Sequence, residues 1–131
     1  MILWQGMIPL NPKTKKNSMQ IIRNRTTGSP MIVQSKEYRE YEKNAGWFLK
    51  KPKEPISTPV NIKYTFYRQN AIRCDIGNLV VCADDLLVKF GVIADDNFKI
   101  VIGHNGSRVF IDRDNPRTEI EISEFCADEV Q

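Results

Sequence analysis

Residues 58–68 show clear alternation. Val60, Ile62, Tyr64 and Phe66 fall on one side of an extended chain, and Asn61, Lys63 and Thr65 on the other. A strand patterned this way must bury one face and wet the other. An amphipathic segment follows almost at once. At 100° per residue, Ile76, Leu79, Val80, Ala83, Leu86, Leu87 and Phe90 share one broad face of a helix over 76–90. Asp75, Asn78, Cys82, Asp85 and Lys89 form a narrow polar stripe beside it, and Asp84 projects toward another face. Val81 and Val88 lie on the far side, where a second element or a second subunit would have to meet them. Gly91 suits the position just past the helix end.

The rest of the chain supplies further strands and one more helix. Residues 2–8 read as a short strand ended by Pro9, and 9–18 as a proline-containing loop. Met19–Arg23 and Pro30–Val33 read as a hairpin with Gly28 free to take a positive φ. Ser35 suits an N-cap for a helix over 36–50, with Tyr38, Tyr41, Ala45, Phe48 and Leu49 on one face. That tyrosine stripe is expected in the core. Phe98–Gly103 and Ser107–Ile111 flank Asn105-Gly106, a hairpin signal. Thr118–Ser123 alternates again, and Cys126 to Gln131 are expected to fray. Strands with two helices and no repeat or linker predict one domain over 1–131 of α+β class, a mixed β-sheet with two main helices.

Composition narrows the function classes. At 131 residues the chain can bury a core of its own. No apolar run approaches the ~20 residues that span a bilayer, and the start lacks the basic n-region and cleavage site of a signal peptide. Cys74, Cys82 and Cys126 are an odd set without CxxC spacing, which fits free thiols in a reducing, cytoplasmic setting. Residues 1–36 hold six basic residues and no acid, whereas the remainder holds 13 basic and 16 acidic. Such an arrangement suits a protein that holds a polyanion with one part and a cation with the other. An unevenly charged solvated surface is the plainer alternative.

The acids gather at Asp75, Asp84–Asp85 and Asp95–Asp96. One explanation is structural: Asp75 is an acceptable N-cap and Asp95-Asp96-Asn97 an ordinary polar turn. The other is a Mg²⁺ or Mn²⁺ site, because hard cations take oxygen ligands and often use few carboxylates alongside phosphate oxygens. A metal that activates water and neutralises phosphate charge favours phosphodiester hydrolysis. A single histidine, His104, and scattered cysteines argue against zinc. No P-loop, dinucleotide glycine motif or nucleophile elbow is present.

Three groups of residues then carry a resemblance. Arg73-x-Asp75-x-x-Asn78-Leu79, Asp85-x-Leu87 and Gly91-Val92-Ile93-x-Asp95-Asp96-Asn97 resemble the signature of RusA-like Holliday-junction resolvases. Pro12-x-Thr14-Lys15-Lys16-Asn17-Ser18 and Ser35-x-x-Tyr38-x-x-Tyr41 resemble that group's front half, and Gly106–Val109 with Asn115–Ile120 its close. The resemblance covers nearly the whole chain. It implies a small homodimeric α+β endonuclease of DNA recombination and repair, often phage-associated, that binds four-way junctions. With Mg²⁺ it would place paired nicks in opposing strands.

Carried over by position, the resemblance makes Asp75 and Asp96 metal ligands, with Asp95 beside Asp96 as a further catalytic acid. Lys15, Lys16 and Arg73 would contact the DNA backbone, joined by Lys13 in the same loop and Lys89 on the polar stripe. Two positions depart from the pattern. Gly77 stands where a second acid is expected, and Val81 where a lysine is expected. Asp85 is the candidate to stand in as a metal ligand. The departures keep a rival open, a junction-binding protein that no longer cleaves. A further alternative is an unrelated α+β domain whose acids are caps.

Overall fold

The computed structural model describes residues 1–15 and 19–125. Lys16 and Cys126–Gln131 lie outside the described residues. The elements run β1 (Ile2–Ile8), β2 (Met19–Arg23), β3 (Pro30–Gln34), α1 (Lys36–Gly46), β4 (Val60–Arg68), α2 (Ile76–Lys89), β5 (Val101–Gly103), β6 (Arg108–Ile111) and β7 (Arg117–Glu124). The main sheet has the order β1-β7-β4-β5, with β6 also on β4. β7 pairs antiparallel with both β1 and β4, whereas β5 and β6 pair with β4 in parallel. This is the expected α+β fold with a mixed sheet and two helices.

The alternation in β4 does what its pattern demands. Val60, Ile62, Tyr64 and Phe66 are buried, against Ile120 and Ile122 of β7 and Ile8 of β1. α1 adds Tyr38, Tyr41 and Ala45 to this core, and α2 adds Leu79, Leu86 and Leu87. The tyrosine stripe is therefore packing. Ser35 caps α1 by accepting from the Tyr38 backbone N–H at 3.1 Å. The helix stops at Gly46, four residues short of the expected end, where the ring of Phe90 lies so close that a Cβ would sit 2.4 Å from its Cε1. Leu49 beyond the helix is still buried, but Phe48 turns outward rather than joining the face predicted for it. Val88, expected on the far side, packs partly against the core, while Val81 is exposed.

β2 and β3 form the expected hairpin as a separate two-stranded sheet, with Gly28 at φ +72. The second expected hairpin does not form. β5 and β6 both run along the same edge of β4, so 101–111 is one edge strand interrupted at 104–107. Phe98–Ile100 is a turn, not strand. The interruption is built by side chains of β4 and its neighbours. Asn61 accepts from the Asn105 N–H at 2.8 Å and donates to its carbonyl at 3.2 Å, and the Tyr64 N–H donates to Ser107 Oγ at 3.0 Å. Gly106 takes φ +88, so Asn-Gly marks a real turn, but one inside a strand.

Candidate nuclease site

α2 carries most of the candidate residues, and its geometry sorts them. Asp75 occupies the N-cap position in extended conformation, yet its side chain makes no capping hydrogen bond. Its carboxylate is exposed and is not used by the helix start, which removes the capping explanation for it. Asp85 follows ten residues later on the same helix. At 1.5 Å per residue the two Cα atoms are separated by about 15 Å, beyond what two short aspartate side chains can bridge to one ion. Asp75 and Asp85 therefore do not share a cation within one chain, contrary to the expectation that they would belong to one ligand set.

The turn after α2 brings a second group together. Asp95 Oδ1 accepts from the Asp96 N–H at 2.8 Å, and Asp95 Oδ2 from Asn97 Nδ2 at 2.8 Å. Asn97 Oδ1 in turn accepts from the Lys99 N–H at 2.9 Å. Hydrogen bonds from Asn97 and Asp96 hold the Asp95 carboxyl below its ordinary pKa. Both Asp95 oxygens thus organise the turn. Asp96 differs: partial burial, its contact with Asp95 and the nearby charge of Asp85 push its pKa up. Its charge is opposed first by burial and then by its acidic neighbours, a cost that a bound cation relieves. Among the described residues no group of three His, Cys, Asp or Glu side chains is close enough to hold a metal by itself. That does not disqualify Mg²⁺, which keeps waters and takes phosphate oxygens alongside one or two carboxylates. An exposed Asp96 fits that mode of binding.

Asp84 projects to a different face from the polar stripe, as its angle indicates, and that face meets the sheet. Asp84 is 6% exposed and receives two donors from the sheet. Tyr64 Oη donates to Asp84 Oδ1 at 2.6 Å, and His104 Nε2 reaches Oδ1 and Oδ2 at 3.1 and 2.9 Å. The His104 and Tyr64 rings stack with centroids 5.9 Å apart. Burial and the Asp84 carboxylate drive the Tyr64 hydroxyl well above its ordinary pKa, so it remains a donor. His104 reaches this position because the edge strand breaks at 104–107. Nothing local to Asp84 or His104 signals the pairing, which joins residues 20 apart in sequence.

The basic residues separate by partner. Lys13 pairs with Glu37, and Lys89 pairs with Glu42 of α1. Lys89 is therefore held at the α1–α2 contact, at the opposite end of α2 from Asp75. Lys15 pairs with Asp85 Oδ2 at 3.1 Å, and its backbone N–H donates to Cys82 Sγ at 3.3 Å. Cys82, placed on the polar stripe by its angle, is buried beneath this loop. Arg73 is exposed beside Asp75. Asn11 Oδ1 accepts from the Gln69 N–H at 3.0 Å and draws the loop toward 68–74. Between loop and segment lies a cleft lined by Lys13, Arg68 and Arg73 and also by Glu37, which pairs with Lys13, so the excess positive charge offered to a phosphate backbone comes from the two arginines. Arg68 was not anticipated. Arg117 instead serves structure, bound to Asp112 and Glu119 at 3.0 Å each and lying 3.7 Å from the Tyr67 ring centroid.

No curated protein sequence matches the chain. The family profile of endodeoxyribonuclease RusA matches residues 9–123, from the first loop through β7, and so takes in the basic loop, α2 and the Asp95–Asp96 turn. A match over that much of the chain, carrying the acids and cations just placed, settles the ancestry: the chain belongs to the RusA endodeoxyribonuclease family.

Proposed function

We propose that the protein is a Mg²⁺-dependent endonuclease that resolves four-way or otherwise branched DNA by paired nicking. The observation that carries this is the RusA family match over residues 9–123, which takes in the uncapped Asp75 carboxylate, the Asp95–Asp96 turn and the basic cleft together. Asp96 and Asp75 would hold the ion, with Asp95 fixing the Asp96 backbone. A bound Mg²⁺ supplies activated water and neutralises charge on the cleaved phosphate. The protein's own share is positioning: Lys13, Arg68 and Arg73 line a path for the backbone, and the Asp95 turn aims Asp96. Two copies related by a two-fold axis would present two such sites to a two-fold junction. A cytoplasmic location fits this reading, and no helix among the described residues is long and apolar enough to cross a membrane. The test compares a labelled four-way junction with a linear duplex of the same arm sequence, each with Mg²⁺ and with EDTA. Cuts confined to the junction and to Mg²⁺ support the reading; equal cutting of the duplex sinks it.

A second reading, junction binding without cleavage, is favoured by one specific feature, the absent carboxylate at Gly77. The structure shows how to separate the two. A Cβ at Gly77 meets no heavy atom within 4 Å, so an acid fits without repacking. Gly77→Asp is expected to fold as the parent does and to raise nicking about tenfold by adding an oxygen ligand near Asp75. It should also stabilise the first turn of α2 by roughly 0.5 kcal/mol, through lost glycine freedom and a favourable charge at the helix start. Single-turnover nicking and a melting curve check both. Unchanged nicking with raised stability would remove position 77 from the chemistry.

A further inference from the structure

Val81, on the far side of α2, lies one helical turn before Asp85, at the position where the resemblance leads one to expect a lysine. Positions 81 and 85 are an i, i+4 pair, so their side chains are neighbours about 5–6 Å apart at Cβ. A lysine at 81 would reach the Asp85 carboxylate. In this chain an ammonium is already there, delivered from a different element: Lys15 Nζ lies 3.1 Å from Asp85 Oδ2. The loop that delivers it is docked, not loose. The Lys15 backbone N–H donates to the sulfur of Cys82, next to Val81, and Thr14 beside it is buried. Lys15 is the described lysine that pairs with a carboxylate of α2, since Lys13 and Lys89 pair with Glu37 and Glu42 of α1. Asp85 also lies within electrostatic reach of Asp96. An ion pair this exposed adds little stability. What it does accomplish is to hold a charge in one place.

We propose that Lys15 supplies, from the loop, the phosphate-facing cation that Val81 does not, and that Asp85 anchors this ammonium instead of ligating metal. The proposal rests on the junction-nuclease reading for its phosphate, but its geometry can be tested without DNA. Asp85 then has a role that agrees with its distance from Asp75, and the loss at position 81 is compensated in space and not in sequence. An ammonium held at Asp85 can meet a phosphate oxygen as charge develops there.

The experiment uses the full-length parent, Lys15→Ala, Val81→Lys and the double variant. Position 81 is 58% exposed, so lysine is tolerated there. In melting curves without DNA, Val81→Lys is expected to lower Tm by about 1–3 °C in the parent, where two ammoniums crowd one carboxylate, and to raise it by a similar amount in Lys15→Ala. Equal shifts in both backgrounds overturn the shared position. In metal-free binding to a fluorescent four-way junction over a salt series, Lys15→Ala should weaken affinity about tenfold and reduce the salt slope by about one. The double variant should recover both. Lost affinity that Val81→Lys does not restore overturns the substitution of one cation for the other. If the parent itself binds no junction, the functional reading fails and the phosphate role fails with it, while the melting cycle still reports the Lys15–Asp85 geometry separately.

Discussion

Asp84→Ala is expected to destabilise the protein by about 2–3 kcal/mol, because it leaves the Tyr64 hydroxyl without an acceptor in the core. Tyr64 is fully buried and His104 only partly so, and this difference sets the size of the effect. Loss of the carboxylate strands a donor that water cannot reach, whereas His104 can turn to solvent. Tm should fall by roughly 5–10 °C for a domain of this size. Tyr64→Phe should act in the same direction but more weakly, by about 1 kcal/mol, since Asp84 keeps His104 as donor. Calorimetry on both variants tests the assignment, and an Asp84→Ala transition within a degree of the parent's would show that the network contributes nothing. The network also joins the middle of α2 to the broken edge strand. Slackening it should displace the neighbouring Asp85 and lower nicking even where the variant still folds.

Asp96→Asn is expected to abolish nicking, by at least ~100-fold, while leaving the fold intact and slightly more stable at neutral pH. The sign follows from the raised pKa of Asp96. A carboxyl whose folded pKa lies above its unfolded value favours folding while protonated, and this contribution is lost as pH rises through the folded pKa. At neutral pH the parent therefore holds an unfavourable charge that asparagine removes. As the pH falls and the parent's carboxyl takes up its proton, the stability difference should shrink. Melting curves of parent and variant across acidic and neutral pH check this. A variant less stable than the parent at neutral pH would mean that Asp96 is held by favourable partners, and that its neighbourhood does not attract a cation.

Patterns confined to one element were legible in the sequence. The alternation of β4 and β7, the apolar face of α2 from Leu79 onward, the Ser35 cap and the glycine turn at Gly28 appear where their spacing places them, because each depends on local geometry and on burial of one face; Ile76, in the first turn of α2, is exposed instead. Three features were not legible, for a common reason. The edge strand interrupted at 104–107 carries Asn-Gly, which signals a hairpin when only neighbours are weighed. Whether the chain turns back or continues depends on Asn61 and on a parallel edge of β4 far away in sequence. Asp84 was assigned to another face by helix angle alone, yet the sheet approaches from that side and brings Tyr64 and His104 with it. Lys15 was read as a phosphate contact from its loop, but its partner Asp85 lies 70 residues on. For the candidate site, the places of the acids along the chain were legible and their grouping in space was not. Asp75, Asp85, Asp95 and Asp96 are close in sequence, while α2 holds Asp75 and Asp85 apart.

The most direct measurement of the central claim is strand cleavage of an end-labelled four-way junction by the parent, Asp75→Asn and Asp96→Asn, in Mg²⁺ and in Mn²⁺, with junction binding followed in the same samples. The parent is expected to cut opposing strands at symmetric positions. Both variants should bind the junction as tightly as the parent and leave it uncut. Cleavage by Asp96→Asn at the parent's rate, or a parent that binds the junction and cuts with neither metal, would contradict the central claim.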